Sequence, residues 1–313
     1  MSSGFEVIRA GVQSTVQDIG HSNTAHWGVP QAGAADLLSF ALANLLLGNS
    51  PEAACIEMTL GCVQLRFLTE TDFALTGADC AAQLDEKPLL PYSRQRAQAG
   101  QTLKLEAPVR GMRSYLALLG GVDVPQVLGS RSTLLSARLG GIAGRALRAG
   151  DVLLAKSKTP NQRLSVAIAA PQWRSQLRVM RGPQWRNLSA EAQRFFQNNH
   201  WQVSGQSDRM GVKLLGSMLE MAIPIEMASQ AVFAGTIQLP PNGLPILLLA
   251  DVQTTGGYPI VGQVIQADLW LAGQCRANDK IQFKMVDANE AVLALRAQQT
   301  WLSQIQRIVC SSI

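Results

Sequence analysis

Histidine occurs three times in this 313-residue chain, aromatic residues make up 5% of it, and charged residues only 16%, against the usual ~25%. Each shortage removes a class of function. A nucleic-acid binder gathers basic residues on one face and interleaves aromatics that stack on bases. Here the formal charge is +5, the arginines are dispersed and the aromatics are few, so no nucleic-acid partner is expected. His21, His26 and His200 form no H-E-x-x-H arrangement, and no metal site is expected from them. The five cysteines (Cys55, Cys62, Cys80, Cys275, Cys310) are odd in number, scattered and without a C-x-x-C pair. That usage fits free thiols in a reducing compartment. The opening "MSSGFEVIRAG" lacks the apolar core of a signal peptide, and the most apolar run, "LLSFALANLLLG" from Leu37, is too short to span a bilayer. The expectation is a cytoplasmic protein with no membrane partner.

The common catalytic words are also missing. No G-x-x-x-x-G-K-[ST] occurs; "GVKLLGSM", from Gly211, has the glycine spacing but Ser217-Met218 where lysine and a hydroxyl residue belong. No G-x-G-x-x-G follows a strand, and neither G-x-S-x-G nor S-x-x-K is present. Chemistry on this chain would therefore rest on carboxylates, arginines and backbone amides.

What is there is a hydrophobic fraction of 47%, enough for a large core, with 27 glycines and 14 prolines that fit a turn-rich, strand-rich chain. Short apolar runs separated by turns ("VQLRF", "FALTG", "TLKLE", "SYLALLGG", "DVLLA") predict strands from Cys62 to Leu154. "LRVMRG", "GTIQLP", "LPILLLA", "YPIVGQVIQADLW" and "KIQFKMV" predict strands in the second half. "AADLLSFALANLLLGN" predicts a buried helix capped by Asp36 and ended at Gly48 or Asn49. Further helices are predicted from Ser189 to Asn199 and from Asp287, where Glu290 gives a capping-box spacing, toward Ile308. The polar segment around residues 159–173 reads as a linker between domains at 1–158 and 174–313. One weak repeat supports two related β domains. "RAQAGQTLKL", "RALRAGDVLLA" and "CRANDKIQFKM" each lead through Gly, Gly or Asn278 into an alternating strand, with Asn278 able to stand where φ is positive.

Several polar words stand out. "TVQD" carries Gln17 and Asp18 just before a long irregular loop. "RSYLALLGG" puts Arg113 and Tyr115 on one face of a strand. "LGSRSTLL" sets Arg131 between two serines, ahead of Thr133, a grouping suited to a carboxylate or phosphate. "SDRMG" places Asp208 beside Arg209, and "TIQLPPNGLP" contains Gln238 and a turn. Each also has a plain structural reading: a turn cap, a strand edge, a polar turn or an ion pair. "DVQTTGGYP", Asp251 to Pro259, is the densest. Asp251 can serve as base or orienter, Gln253, Thr254 and Thr255 can bind amide or carboxylate groups, and Gly256-Gly257 permits close backbone approach before Tyr258.

In their order, "TVQD", "ANLLLGN", "ALTGAD", "RSYLALLGG", "GSRST", "DRMG", "QLPPNGLPI" and "DVQTTGGYP" resemble the family of the C subunit of bacterial ATP-dependent 5-oxoprolinase. That family is also known as allophanate hydrolase subunit 2 or biotin-dependent carboxyltransferase A/B type. It includes parts of urea carboxylase and urea amidolyase and an antagonist of a sporulation kinase inhibitor. The resemblance implies a mainly β fold of two cyclophilin-like β-barrel domains in tandem with a few helices. It implies ATP as the cofactor, partner proteins like the B and A subunits of that enzyme, and opening of 5-oxo-L-proline to L-glutamate by a chain inactive alone. A carboxyltransferase role in a urea carboxylase system and a non-enzymatic regulator are the alternatives. "FKMVD" only resembles the biotin-attachment word, so no biotin is expected on this chain. Carried onto these positions, the resemblance makes Asp251, Asp18 and Arg131 catalytic. Gln17, Arg113, Tyr115, Ser132, Thr133, Arg209, Gln253, Thr254, Thr255, Gly256, Gly257 and Tyr258 become substrate-binding, with "DVQTTGGYP" expected to form one wall of the site and "TVQD" and "GSRST" from the other half the rest. His21, Ala35 and Val212-Lys213 depart from the family words; His21 replaces a permanent cation.

Overall fold

Alternating apolar runs become twenty strands and four α-helices in a computed structural model of the chain, which describes residues 3–156, 166–223 and 227–312, the side chains of 310–312 excepted. The chain forms two units. The first comprises residues 1–22, 32–171 and 301–313, and the second 23–31 and 172–300. Much of the linker expected at 159–173 lies outside the described residues.

Unit 1 holds eleven strands: β1 (Gly4–Ala10), β2 (Gln13–Gln17), β3 (Cys55–Thr59), β4 (Val63–Phe67), β5 (Thr71–Asp79), β6 (Gln83–Leu84), β7 (Lys87–Pro88), β8 (Ser93–Ala97), β9 (Thr102–Leu105), β10 (Arg110–Leu118) and β11 (Val152–Leu154). They form a six-stranded sheet in the order β11-β1-β4-β9-β6-β7 and a five-stranded sheet in the order β2-β3-β10-β5-β8. Phe5 and Val7 of β1 point inward while Glu6 and Ile8 point out, and Val16, Ile56, Met58, Leu103 and Leu116 join the same core. Phe67 and Phe73, one from each sheet, stack at 5.0 Å and bind the two sheets together. Helix α1 (Leu37–Leu46) is apolar nearly all round and buried accordingly. Asp36 caps it as predicted, accepting from the Ser39 amide at 2.8 Å and the Ser39 hydroxyl at 2.6 Å. Gly48 takes the left-handed conformation at its end.

Unit 2 is a closed barrel. Its strands β12 (Gln176–Arg181), β13 (His200–Val203), β14 (Gly211–Leu215), β16 (Thr236–Gln238), β17 (Ile246–Leu248), β19 (Ile260–Val264) and β20 (Lys280–Met285) run β12-β19-β16-β17-β14-β13-β20, and β20 returns to β12 in parallel. A separate ribbon pairs β15 (Gln230–Ala231) with β18 (Thr255–Gly256). Helix α2 (Ala190–Asn198) starts at Ser189, whose hydroxyl accepts from the Ala192 amide, and lays Ala192 and Phe196 into the core. There Phe196 stacks on Phe283 at 4.7 Å and meets Trp185 edge-on. The run "YPIVGQVIQADLW" is not one strand. β19 ends at Val264, and a 3-10 turn followed by α3 (Leu269–Gly273) takes over. The cause is Asp268, fully buried and held by the amide and guanidinium of Arg178 and by Arg174. A strand continuing through Asp268 would lose that arrangement. The last helix, α4 (Ala288–Ser312), opens with the predicted capping box, Asp287 and Glu290 bonding reciprocally at 2.8 and 3.0 Å.

The repeat has a physical basis. Gly100, Gly150 and Asn278 sit at φ of 86°, 87° and 72°, before β9, β11 and β20 respectively. Their amides bond to the carbonyls of Phe67, Val7 and Val203 on a neighbouring segment. A Cβ at Gly100 or Gly150 would meet nothing within 4 Å, so the left-handed backbone alone selects the residue. Two of these turns lie in unit 1 and one in unit 2.

Candidate functional site

β2 is an edge strand, and the irregular segment 126–147 covers its free side. Thr133 donates its amide and its hydroxyl to the Val16 carbonyl (2.9 and 3.0 Å), Gln17 Nε2 donates to the Thr133 carbonyl (3.0 Å), and the Leu147 amide donates to the Ser14 carbonyl (2.8 Å). Within the segment, Val127 and Ser130 exchange backbone bonds around Leu128 and Gly129, both at positive φ. This tight turn delivers Ser130, Arg131 and Ser132 to the residue that follows β2.

That residue is Asp18. Its Oδ1 accepts from the Gly20 amide (2.9 Å) and from the hydroxyls of Ser130 and Ser132 (both 2.6 Å), and its Oδ2 accepts from the Arg131 amide (2.6 Å). The Asp18 amide donates back to Ser132 Oγ at 2.9 Å. A buried carboxylate with four donors fixes a loop. Its charge is spent on backbone and hydroxyl groups, and the Arg131 guanidinium forms no ion pair among the described residues. Arg131 Nε is buried and without a hydrogen-bond partner. The loop tolerates no bulk behind it. A Cβ at Gly140, where φ is 66°, would stand 2.0 Å from the Ser132 carbonyl oxygen. Gly140→Ala is therefore expected to lower stability by more than ~1 kcal/mol and to displace Ser132. Urea unfolding checks the first effect, and hydrogen exchange at residues 130–133 the second; unchanged protection there would contradict it.

The opposite wall is built from "ANLLLGN" and "LLGG". Asn44 Nδ2 donates to the Ala53 carbonyl (2.8 Å). Asn49 Nδ2 donates to the Leu118 carbonyl (2.8 Å) and its Oδ1 accepts from the Gly120 amide (2.8 Å). Gly121, at φ of 80°, packs so closely that a Cβ would lie 2.8 Å from the Ala53 Cβ. These walls enclose a cleft of about 450 Å³, a size that suits a small ligand. Asp18, Gly20, Glu52, Gly121, Arg131 and Lys156 are among its lining residues. Lys156 and Glu52 were not singled out in the sequence. Lys156 follows the end of an apolar strand and Glu52 sits in a short turn, and only the fold brings them to Arg131's cleft.

The words of the second half lie in unit 2. Arg209 does not pair with its neighbour Asp208, which instead caps the amides of Met210 and Gly211. It grips Asp251 through Nε (2.9 Å) and a terminal nitrogen (2.8 Å), both side chains buried, and the Asp251 amide donates to the Arg209 carbonyl (2.9 Å). Thr255 and Gly256 form β18, while Gln253, Gly257 and Tyr258 are exposed and Thr254 is half-buried. The glycine in close contact is Gly256, and what it approaches is the side chain of Gln238: a Cβ would lie 2.5 Å from Gln238 Nε2. A Cβ at Gly257 would meet only ordinary contacts near 3.8 Å.

Arg113 and Tyr115 do share a face, but of the central strand β10, and both are buried. Tyr115 donates to Glu57 Oε2 (2.7 Å) and accepts from the Asp36 amide (2.8 Å), while Arg113 lies 3.6 Å from Glu57 Oε1. Burial, with the Glu57 charge adding to it, pushes the Tyr115 phenol well above its ordinary value. It is a fixed donor packed against Phe40 of α1, fully buried and not among the residues that line the cleft. Burial likewise pushes the Cys55 thiol up, which keeps it protonated and a poor nucleophile. Among the described residues no group of three His, Cys, Asp or Glu side chains could hold a metal ion.

The chain matches the model of the carboxyltransferase domain, subdomain A and B, over residues 27–285. It is 40% identical to the C subunit of 5-oxoprolinase from Escherichia coli (strain K12), covering 96% of this chain and 97% of that protein. It is 38% identical to the C subunit of 5-oxoprolinase from Haemophilus influenzae, covering 97% and 98%. Among solved structures, urea amidolyase of K. lactis superposes with a TM-score of 0.87 at 29% identity, over 96% of this chain and 20% of that one. A mainly β chain built from two units, with these motifs in this order and these relatives along nearly its whole length, belongs to the carboxyltransferase A/B domain family.

Proposed function

We propose that the chain acts as the C subunit of an ATP-dependent 5-oxoprolinase, opening 5-oxo-L-proline to L-glutamate together with partners like that enzyme's A and B subunits. The observation that carries this reading is the 40% and 38% identity, over nearly the whole of both chains, to two proteins named as the C subunit of 5-oxoprolinase. Identity to a urea amidolyase and a putative urea carboxylase is lower, 32% and 30%. The chemistry explains the need for ATP. A lactam carbonyl is a poor electrophile. Transfer of the γ-phosphoryl group to its oxygen, with ADP leaving, activates the carbon for attack by water. The ring C–N bond then breaks as the nitrogen takes a proton, and a second water hydrolyses the acyl phosphate to glutamate and phosphate. We assign Asp18, Arg131 and Asp251 as the groups this reaction depends on, Asp18 and Asp251 by holding neighbouring groups in place. In this reading ATP is bound on the partner subunit or shared between it and this chain.

Similarity to the urea enzymes favours one other reading, a carboxyltransferase that uses carboxybiotin carried on another chain. The two are separated by expressing the chain with its A-like and B-like partners and measuring ATP hydrolysis with 5-oxoproline, urea and allophanate. Stimulation by 5-oxoproline alone is expected. Stimulation by urea in the presence of a biotin carboxylase, with none by 5-oxoproline, would replace this reading with the second.

A further inference from the structure

We infer that the unit 1 cleft is an oxyanion subsite in which Arg131 and Lys156 together bind one carboxylate or phosphate group of a small ligand. Four features carry this. The first is that Arg131 is a cation without a counter-ion among the described residues. Asp18, the obvious partner, accepts instead from the Arg131 backbone amide and from Gly20, Ser130 and Ser132. The guanidinium therefore keeps its charge for something else, and its buried Nε has no hydrogen-bond partner. The second is preorganisation. The Arg131 backbone is pinned on both sides, its amide by Asp18 (2.6 Å) and its carbonyl by the Gly141 amide (3.0 Å), so little freedom is lost when a ligand binds.

The third feature is a second cation. Lys156 lines the same cleft, its backbone amide donates to the Gly121 carbonyl (3.0 Å), and it forms no ion pair among the described residues. The strand before it is fixed by the bridge between Val122 and Ala155. The fourth is the remaining charge. Of the two carboxylates on the cleft, Asp18 is satisfied by its four donors and Glu52 is exposed. Two cations facing one free carboxylate favour a ligand with a single anionic group and a polar neutral remainder. Planar guanidinium donors and a lysine ammonium both suit the oxygens of such a group. The inference rests on the proposed function only in the choice of 5-oxoproline as one probe.

Calorimetric titration of the full chain tests it, with 5-oxoproline, inorganic phosphate and 2-pyrrolidinone, the same lactam without the carboxylate, as separate probes. Wild-type chain is expected to bind at least one of the two oxyanions and to bind 2-pyrrolidinone far more weakly. Binding of 5-oxoproline alone assigns the subsite to a substrate carboxylate, and binding of phosphate alone assigns it to a phosphate group. Arg131→Ala and Lys156→Ala should each weaken binding roughly tenfold, the loss of one charge-assisted contact. Arg131→Lys should restore part of it, and Lys87→Ala, which removes an exposed cation outside the cleft, should leave it unchanged. Wild-type affinity in folded Arg131→Ala and Lys156→Ala chains would overturn the subsite, as would equal affinity for 2-pyrrolidinone or no binding of either oxyanion. Failure here and failure of the functional reading are distinguishable. A reconstituted complex that turns over 5-oxoproline with Arg131→Ala and Lys156→Ala at wild-type KM keeps the function and removes the subsite. Oxyanion binding by the chain without turnover by the complex does the reverse.

Discussion

Asp251→Ala is expected to lower the unfolding free energy of unit 2 by roughly 3 kcal/mol, the loss of two buried charge-assisted hydrogen bonds. Asp251 meets Arg209 through two hydrogen bonds of 2.8 and 2.9 Å, with side-chain exposures of 8% and 5%. Removing the carboxylate takes both of these bonds from the guanidinium, whereas Asp251→Asn, which keeps one acceptor oxygen in place, should lose less. Tryptophan fluorescence in urea reports the effect well, because Trp27, Trp173, Trp185, Trp201 and Trp270 all belong to unit 2. A loss below ~1 kcal/mol, the range of exposed pairs, would contradict the burial argument. The outcome bears on function directly. The pair ties "DRMG" to "DVQTTGGYP", so reduced turnover in an Asp251 variant has to be compared at equal folded fraction before a chemical role is assigned.

The second large effect is expected at Asp18. Asp18→Asn preserves shape but replaces one oxygen by an amide. The three donors on Oδ1 fix the orientation of the new side chain, placing its NH₂ against the Arg131 amide, which now bonds to Oδ2 at 2.6 Å. One donor then faces another, and three bonds lose the assistance of a charge. The combined cost is about 3 kcal/mol, from ~1–3 for the orphaned donor and the remainder from the weakened bonds. Because this amide sets where Arg131 stands, KM for 5-oxoproline in the reconstituted complex should rise about tenfold or more while kcat changes less. A fall in kcat with unchanged KM would instead place Asp18 in the chemistry, and unchanged values of both would remove it from the site.

Much of the fold is legible in the sequence because the relevant forces are local. Asp36, Ser189 and the Asp287–Glu290 pair announce helix starts through the donors they satisfy, and Gly100, Gly150 and Asn278 mark left-handed turns before strands. The strands β1 to β3 are less visible, and β19 is overrun in prediction, because what ends it is not local. Asp268 finds Arg178 some ninety residues away. The site divides in the same way. "GSRST" and "TVQD" are recognisable as polar words, but nothing local says that Asp18 spends its charge on amides and hydroxyls rather than on the Arg131 guanidinium. Neighbouring residues suggest Asp208 as the partner of Arg209, whereas the fold supplies Asp251. Arg113 and Tyr115 have the right alternation, yet a one-dimensional pattern cannot distinguish a ligand-facing strand from a central one whose polar side chains meet a buried Glu57. Lys156 follows an ordinary strand and gains meaning only through the Gly121 carbonyl that anchors it.

As proposed above, this chain would be a required subunit of a 5-oxoproline-opening complex. The direct measurement is glutamate released from 5-oxoproline and ATP by the reconstituted complex, compared with the same partners lacking this chain and with this chain by itself. The prediction is one glutamate formed for each ADP in the full complex, and none above background in either omission. Equal glutamate formation without this chain, or none from the complete complex, would contradict it.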